Sequence, residues 1–145
     1  MSTYESHVGS DDELGARARA VRRRVFVDEQ GVPEAVEMDE KDADATHVLL
    51  TDGDPVATAR YRFVDAETAK IERVAVLRDY RDAGLGRRVM TIAERRAVDD
   101  GATTARLHAQ ERVLGFYESL GYRAVGDRFE EAGIPHRAMV KRLSD

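Results

Sequence analysis

A glycine-rich loop between an apolar run and an amphipathic stretch is the feature that most constrains this chain. The loop reads Arg81-Asp82-Ala83-Gly84-Leu85-Gly86-Arg87-Arg88; it follows the apolar residues 71–77 and opens a predicted helix over 85–99. Glycines let backbone N–H groups approach an anion closely, and a helix N-terminus adds partial positive charge. The pattern therefore predicts a strand, a tight turn and a helix that together cradle phosphate.

The loop is basic although the chain is acidic. The net charge of the chain is -5, yet four arginines face only two aspartates at the loop: Arg78, Arg81, Arg87 and Arg88 against Asp79 and Asp82. Such a local reversal of sign favours a polyanionic ligand. The overall acidity argues against non-specific nucleic-acid binding, which depends on many contacts from Lys and Arg to phosphates.

Length and composition indicate a single domain over residues 1–145. The chain has 145 residues, of which 42% are hydrophobic, and this is enough for a real core. It contains no cysteine, which excludes disulfides, thiolate catalysis and cysteine-based metal sites. The N-terminal residues have no leader pattern and no later run is long enough to span a membrane, so we expect a cytoplasmic protein that binds neither membrane nor metal.

Hydrophobic periodicity and turn signals predict a mixed α/β domain, in which an antiparallel meander is joined to a βαβ unit. The predicted strands cover 4–8, 46–51, 56–64, 69–77, 105–109, 122–125 and 137–142, and the predicted helices cover 11–27, part of 34–44, 85–99 and 112–120. Asp11 is the expected N-cap of the first helix.

With these segments in order, the chain resembles the Gcn5-related N-acetyltransferase (GNAT) superfamily over nearly its whole length. The resemblance rests on Ile71-Glu72-Arg73-Val74-Ala75-Val76, the Arg-x-x-Gly-x-Gly loop, Leu107-His108-Ala109-Gln110, and Phe116-Tyr117-Glu118-Ser119-Leu120-Gly121-Tyr122. Residues 25–33, Glu37-Met38-Asp39 and Gly133-Ile134-Pro135-His136 are similar to the ElaA-like and YjcF-like subgroup. The resemblance implies an α/β (α+β) GNAT fold: a mixed, mostly antiparallel sheet of six to seven strands, splayed at the centre, with about four helices.

The resemblance also implies acetyl-CoA as acyl donor. The loop would bind the pyrophosphate, and the strand before it would pair its backbone with the pantetheine arm like an added strand. Gln110 stands where many relatives have Asn. The expected cofactor-binding residues are Val74, Ala75, Val76, Arg81, Asp82, Ala83, Gly84, Leu85, Gly86, Arg87, Arg88 and Gln110.

In this family the acetyl group passes to an amine by direct attack. An amine of pKa about 10 is neutral in only about one molecule per thousand at pH 7, so a base or a water relay is needed. Glu72 is the expected base and His108 an alternative, while the resemblance assigns protonation of the leaving thiolate to Tyr117.

The acceptor is expected to bind between the first helices and the meander, where acidic side chains would suit a cationic small-molecule or peptide amine. A solvated acidic loop is equally consistent with this composition. The expected acceptor-binding residues are Phe26, Glu29, Gln30, Asp39, His47 and Arg60, with Glu37 and Arg62 as further candidates. The sequence leaves open whether the chain forms a homodimer.

Two other functions fit parts of the pattern. The Phe26 and 37–39 region also resembles acyl-homoserine-lactone synthases, although this chain has no tryptophan. A non-catalytic acyl-CoA-binding module would keep the loop without the acid and base.

Overall fold

A computed structural model describes residues 4–143. The predicted domain also includes residues 1–3 and 144–145, which lie outside the described range. The predicted absence of a leader concerns the N-terminal residues, of which 1–3 lie outside it as well. Within it, the strands are β1 Glu5–Gly9, β2 Thr46–Asp52, β3 Asp54–Phe63, β4 Thr68–Val76, β5 Thr104–Gln110, β6 Arg123–Glu131 and β7 Ile134–Arg142; the α-helices are α1 Asp11–Arg22, α2 Glu34–Glu37, α3 Leu85–Asp99 and α4 Leu114–Ser119.

The seven strands form one mixed sheet in the order β1-β2-β3-β4-β5-β7-β6, and only β4 and β5 pair in parallel. The predicted mixed, mostly antiparallel architecture is confirmed. Successive side chains of a strand point to opposite faces. Accordingly Arg60 of β3 reaches the segment that follows α2, whereas the Tyr61 hydroxyl donates to Asp100 at the end of α3, 2.6 Å away. The helices therefore cover both faces of the sheet.

The first helix is shorter than predicted. Helix α1 starts at Asp11, with Ser10 rather than Asp11 at the N-cap, and the Ser10 N–H donates to the Glu13 carboxylate at 3.0 Å. It ends at Arg22, and the chain continues as a π-helical segment over Arg23–Glu29. The apolar period alone does not reveal this change of helix type. Segments of this kind occur frequently at functional sites.

A bulge and a splay interrupt the centre of the sheet. In the pairing of β3 with β4, Arg60 lies opposite Glu72 and Thr58 lies opposite Ala75, so β4 carries one extra residue between these pairs. Arg73 lies within this bulge and has a φ of 56°. The parallel ladder between β4 and β5 covers only Thr68–Lys70 and Thr104–Arg106. Beyond it the two strands separate, and the backbone of β4 from the bulge onward faces a gap.

The last two strands form a hairpin longer than the sequence predicts. Its turn contains Ala132 and Gly133 with φ of 53° and 75°, which is the left-handed pair that a two-residue hairpin turn requires. Residues 127–131 include four charged side chains, and β6 is an edge strand of the sheet, where charge protects against aggregation.

The core lies mainly between the sheet and α3. The period of this helix predicts one apolar face, on which Leu85, Val89, Ala93 and Ala97 are buried and Ile92 is partly buried; Met90 is buried as well. In the part of the chain that the structure describes, none of the helices combines the length and apolar character required to cross a membrane.

Candidate active site

The glycine loop forms an open helix N-terminus. Gly84 is the N-cap of α3 with φ 79° and ψ 12°, a left-handed conformation that glycine adopts without strain. The first hydrogen bond of the helix runs from the Arg88 N–H to the Gly84 carbonyl at 3.1 Å. The helix itself therefore leaves the N–H groups of Leu85, Gly86 and Arg87 unused, and this arrangement suits an anion.

Gly86 is required by a close neighbour rather than by its backbone conformation. A Cβ atom at this position would lie 3.2 Å from Cζ of Phe116, which precedes Tyr117 on α4. The absence of a side chain lets the aromatic pair of α4 pack directly against the loop. The loop and α4 therefore form one wall.

Arg81 is held in place by two partners. Its Nε donates to the Val76 carbonyl at 3.0 Å, and its two terminal nitrogens donate to Glu29 at 2.6 and 2.8 Å. These hydrogen bonds, against a smaller effect of burial, lower the pKa of Glu29. Glu29 lines neither cavity beside the loop. The Glu29 carboxylate is engaged with Arg81, and its expected contact with the acceptor stays a prediction.

The remaining loop residues divide into two groups. Arg87 lines the cavity beside the loop and donates to the Ser119 hydroxyl at 3.3 Å. Arg88 instead donates to the Tyr4 carbonyl at 3.3 Å, its own N–H is taken by the helix, and it lines neither cavity. Ala83 is exposed and also lies outside both linings. The expected contact of Ala83 and Arg88 with the cofactor stays a prediction.

Two adjoining cavities run from the loop into the gap between β4 and β5. The smaller, of about 320 Å³, lies against the loop, and the larger, of about 640 Å³, lies in the splay. They share Val76, Arg81, Asp82, Gly86 and Phe116. Of the other expected site residues, Phe26, Gln30, Asp39, Glu72, Val74, Ala75, Gln110 and Tyr117 line the larger cavity, and Gly84, Leu85 and Arg87 line the smaller.

Two glutamines bridge the larger cavity. The Gln110 amide at the end of β5 donates to the Gln30 side-chain carbonyl at 2.9 Å, and the Gln110 carbonyl accepts from Arg112 at 3.0 Å. Gln110 and Gln30, which are 80 residues apart, thus bring together an expected donor-site and an expected acceptor-site residue.

Tyr117 offers a protonated hydroxyl to the same cavity. The side chain is 9% exposed, and its ring packs edge-on against Phe116 at 5.0 Å and Tyr122 at 6.1 Å. Burial raises the pKa of Tyr117 to about 12. Among residues 4–143 the structure records no hydrogen-bond partner for this hydroxyl. It is therefore a proton donor at neutral pH whose hydrogen is available to a ligand.

Glu72 is surrounded by cations. It accepts from Arg62 Nε at 2.7 Å and from Arg60 at 3.3 Å, and Lys70 Nζ lies 3.4 Å away. Burial alone would raise the pKa of Glu72, but these cations outweigh burial and lower it. A carboxylate stabilised in its charged form has little affinity for a proton. This arrangement does not favour Glu72 as a general base, and that role stays a prediction.

A buried ionic network lies behind the part of the larger cavity that Glu37 and Asp39 line. Arg22 and Arg60 are each at most 1% exposed; Arg22 pairs with Glu37 at 2.9 Å, and Arg60 pairs with Asp39 at 2.8 Å. Both arginines also contact Asp42, at 2.7 and 2.8 Å. Burial would raise the pKa of Asp42, but the two arginines hold it at about 2. The acidic residues 37–42 are thus largely neutralised.

His47 and Arg60 belong to this network and not to the cavity. Both are fully buried and lie outside the cavity lining, with His47 Nε2 3.1 Å from Asp11. The strand pattern predicts the face of a residue but not its depth, and the expected contact of these two residues with the acceptor stays a prediction. Arg62 likewise pairs with Glu72 outside the lining.

The group Asp11, Asp42 and His47 brings three potential metal ligands within 4.8 Å of one another. Arg19 and Arg22 already donate to its carboxylates at 2.7 Å. These guanidinium groups supply the positive charge at this point, so the donor set does not favour a further cation.

The sequence does not predict a second cluster of titratable residues in the larger cavity. His108 Nδ1 lies 3.0 Å from Glu131 Oε1, and His136 Nε2 lies 3.7 Å from Glu131 Oε2. Only the pairing of β5, β6 and β7 brings these residues together. The Gly-Ile-Pro-His segment, which resembles the subgroup, is the one signal that pointed to His136.

The comparisons with known proteins agree with this geometry. Residues 7–143 match the family model described as an acetyltransferase (GNAT) domain. The chain belongs to the GNAT acetyltransferase family. It is 39% identical over 136 residues to the uncharacterised N-acetyltransferase YjcF of Bacillus subtilis, which covers 92% of this chain and 96% of YjcF.

Two solved structures extend the likeness. The crystal structure of Escherichia coli ElaA superposes with a TM-score of 0.86 at 27% sequence identity. The superposition covers 97% of this chain and 100% of ElaA. A GNAT family acetyltransferase from Elizabethkingia anophelis, with acetyl-CoA bound, superposes with a TM-score of 0.74 at 11% identity, over 98% of this chain and 99% of that one. YjcF and ElaA confirm the predicted subgroup, and the more distant GNAT structure shows the shared fold.

Proposed function

We propose that this protein is an acetyl-CoA-dependent N-acetyltransferase that transfers an acetyl group to a primary amine by direct attack. GNAT acetyltransferases bind acetyl-CoA and an acceptor substrate. The observation that carries the proposal is the continuous passage from the open helix N-terminus at Gly84 to the bulged strand β4 and the hydroxyl of Tyr117.

In the proposed complex, the N–H groups of Leu85, Gly86 and Arg87 bind the pyrophosphate, and Arg81 adds positive charge. The pantetheine arm lies along Val74–Val76, whose backbone faces the splay and has room for an added strand. A backbone N–H in this strand polarises the thioester carbonyl. Gln110 closes the far side of the arm.

Tyr117 protonates the sulfur of the departing CoA. Its buried hydroxyl keeps its proton at neutral pH and faces the cavity. A positioned acid contributes about 10²–10⁴-fold to a rate. We therefore expect Tyr117→Phe to lower turnover by about 10²-fold and to leave the affinity for acetyl-CoA nearly unchanged.

The test combines titration calorimetry with acetyl-CoA and a thiol-release assay over a panel of primary amines. Amine-dependent release of CoA, reduced in Tyr117→Phe, supports the proposal. Acetyl-CoA binding without amine-dependent release across the panel would instead favour an acyl-CoA-binding module. Formation of a lactone from S-adenosylmethionine would favour the acyl-homoserine-lactone synthase reaction. Unchanged turnover in Tyr117→Phe would remove this residue from the mechanism.

A further inference from the structure

The larger cavity contains one imidazole whose second nitrogen is open to a ligand. His108 lies on β5, two residues before Gln110 and on the same face of the strand. Its side chain is 21% exposed and lines the cavity together with Tyr117 and the bulged strand. It therefore faces the space into which an acceptor amine must come.

The geometry around His108 defines its protonation pattern. Nδ1 lies 3.0 Å from the Glu131 carboxylate, which can only accept, so neutral His108 carries its proton on Nδ1. The lone pair then resides on Nε2, for which the described residues 4–143 supply no recorded partner. The ring is packed edge-on against Phe129 at 4.9 Å, which restricts its orientation. An oriented imidazole with a carboxylate behind it is the arrangement of a general base.

We propose that His108 is the base that takes the proton from the acceptor amine and that Glu131 is the residue that positions it. This proposal rests on the proposed acetyl transfer. It assigns the base to a residue other than Glu72, because the carboxylate oxygens of Glu72 already pair with Arg60, Arg62 and Lys70.

The charged surroundings of the pair come from four elements. Glu131 lies at the end of β6, His136 on β7, and Lys70 and Glu72 on β4. Arg112, which follows β5, also lines the cavity. The hydrogen bond from His108, opposed by burial, lowers the pKa of Glu131, and His136 and Lys70 act in the same direction. Glu131 therefore remains charged at neutral pH and can accept a hydrogen bond from Nδ1 of His108.

The proton steps balance. An acceptor ammonium loses one proton to Nε2 of His108, and the resulting amine nitrogen forms a bond with the thioester carbonyl carbon. The carbon–sulfur bond breaks, and the CoA thiolate takes the proton of the Tyr117 hydroxyl. The new amide nitrogen returns its surplus proton to the Tyr117 oxygen, and His108 releases its proton to solvent. The products are the acetylated amine, CoA with a free thiol, and one proton.

Kinetics with matched variants test this assignment. In His108→Gln, kcat/KM for the amine should fall by about 10²-fold at pH 7, while calorimetry should find the acetyl-CoA affinity unchanged. In Glu131→Gln, kcat/KM for the amine should also fall while the acetyl-CoA affinity stays unchanged, because no carboxylate then holds the ring proton on Nδ1. Glu130→Gln, on the exposed face of the same strand, should behave like the wild type.

A second measurement tests the pair without an acceptor. Nitrogen-15 NMR of the histidine rings should show the Nδ1–H tautomer for His108 in the wild type and a mixture of tautomers in Glu131→Gln. An Nε2–H tautomer in the wild type overturns the proposal, and so does full turnover in His108→Gln. If the wild type binds acetyl-CoA but acetylates no amine, the proposed function fails and the base assignment falls with it. An active wild type with unaffected variants would overturn only the base assignment.

Discussion

Single residues at the glycine loop act through different physical causes. Gly84 is needed for its left-handed backbone, because no heavy atom lies within 4 Å of the position that a Cβ would take. Gly86 is needed for space, because Phe116 lies against it. A substitution at either position therefore tests a different property of the loop.

Gly84→Ala tests whether the left-handed turn serves ligand binding. A left-handed conformation costs a residue with a side chain about 1–2 kcal/mol, so the free energy of unfolding should fall by about 1 kcal/mol. The turn also aims the N–H groups of residues 85–87, so acetyl-CoA affinity should fall as well, as measured by calorimetry. Gly53→Ala is the control, since Gly53 has a φ of 72°, equally open space and a place in the distant β2–β3 turn. If both variants bind acetyl-CoA equally well, the loop does not bind through this turn.

At the scale of elements, an ion pair connects the π-helical segment after α1 to the glycine loop. Glu29 ends the π-helical segment that also contains the cavity residue Phe26, and it holds Arg81 across 52 residues of sequence. A carboxylate at this position lowers the positive potential at the loop. The ion pair thus fixes the position of Arg81 and at the same time lowers the positive potential at the loop.

Glu29→Gln should change the electrostatics of the loop more than its geometry, because Arg81 keeps its hydrogen bond to the Val76 carbonyl. We expect a several-fold gain in acetyl-CoA affinity that diminishes in high salt, since the variant removes one negative charge near the phosphates. The side chain of Arg81 is 37% exposed, so the expected loss of stability is small. Calorimetry at two salt concentrations measures both effects.

Glu34→Gln is the matched control, because Glu34 pairs with Arg23 at 2.6 Å on the surface and lines neither cavity. It should leave the affinity for acetyl-CoA unchanged. Weaker binding in Glu29→Gln would show instead that the carboxylate is required to hold Arg81 in a productive position.

At the scale of the whole molecule, the buried ionic network links α1, α2 and the meander. Breaking a buried ion pair by removing one partner costs about 3–5 kcal/mol, because the other charge is left uncompensated. The network therefore makes the docking of these helices dependent on the ionisation of its carboxylates.

Stability should fall as the pH falls from about 5 to 2. The pKa of Asp42 is about 2 in the fold and 3.8 ordinarily, so its contribution is present above the ordinary value and is lost as the pH falls through the folded value. This shift amounts to about 2 kcal/mol. Arginine partners lower the pKa of Asp39 and Glu72 as well, which adds in the same direction. Urea unfolding across this pH range measures the slope.

Asp42→Asn should be less stable than the wild type at pH 7 and should show a flatter decline in acid. Asp44→Asn, which changes an exposed residue two positions further on, should match the wild type in both respects. An unchanged acid slope in Asp42→Asn would mean that other carboxylates control the transition.

The local structure around the glycine loop was predictable because its signals are local. The turn at Gly84, the start of α3 and the aromatic pair before Ser119 each depend on residues close together in the sequence, and the structure places them around adjoining cavities. The order of strands and helices followed from the same kind of local periodicity. Local rules did not reveal the bulge at Arg73, the π-helical segment or the length of the last hairpin.

The sequence by itself determined the family, the sheet and the glycine turn before α3, since side-chain periodicity and glycine conformation depend on near neighbours. Only the tertiary structure decided which charges are free to act. Glu29, Glu72 and Arg60 were expected in the site by their type, but partners distant in sequence neutralise them. His108 and Glu131, 23 residues apart, meet only when β5, β6 and β7 pair. Electrostatic roles depend on distance and burial in the folded state, and no local pattern encodes either.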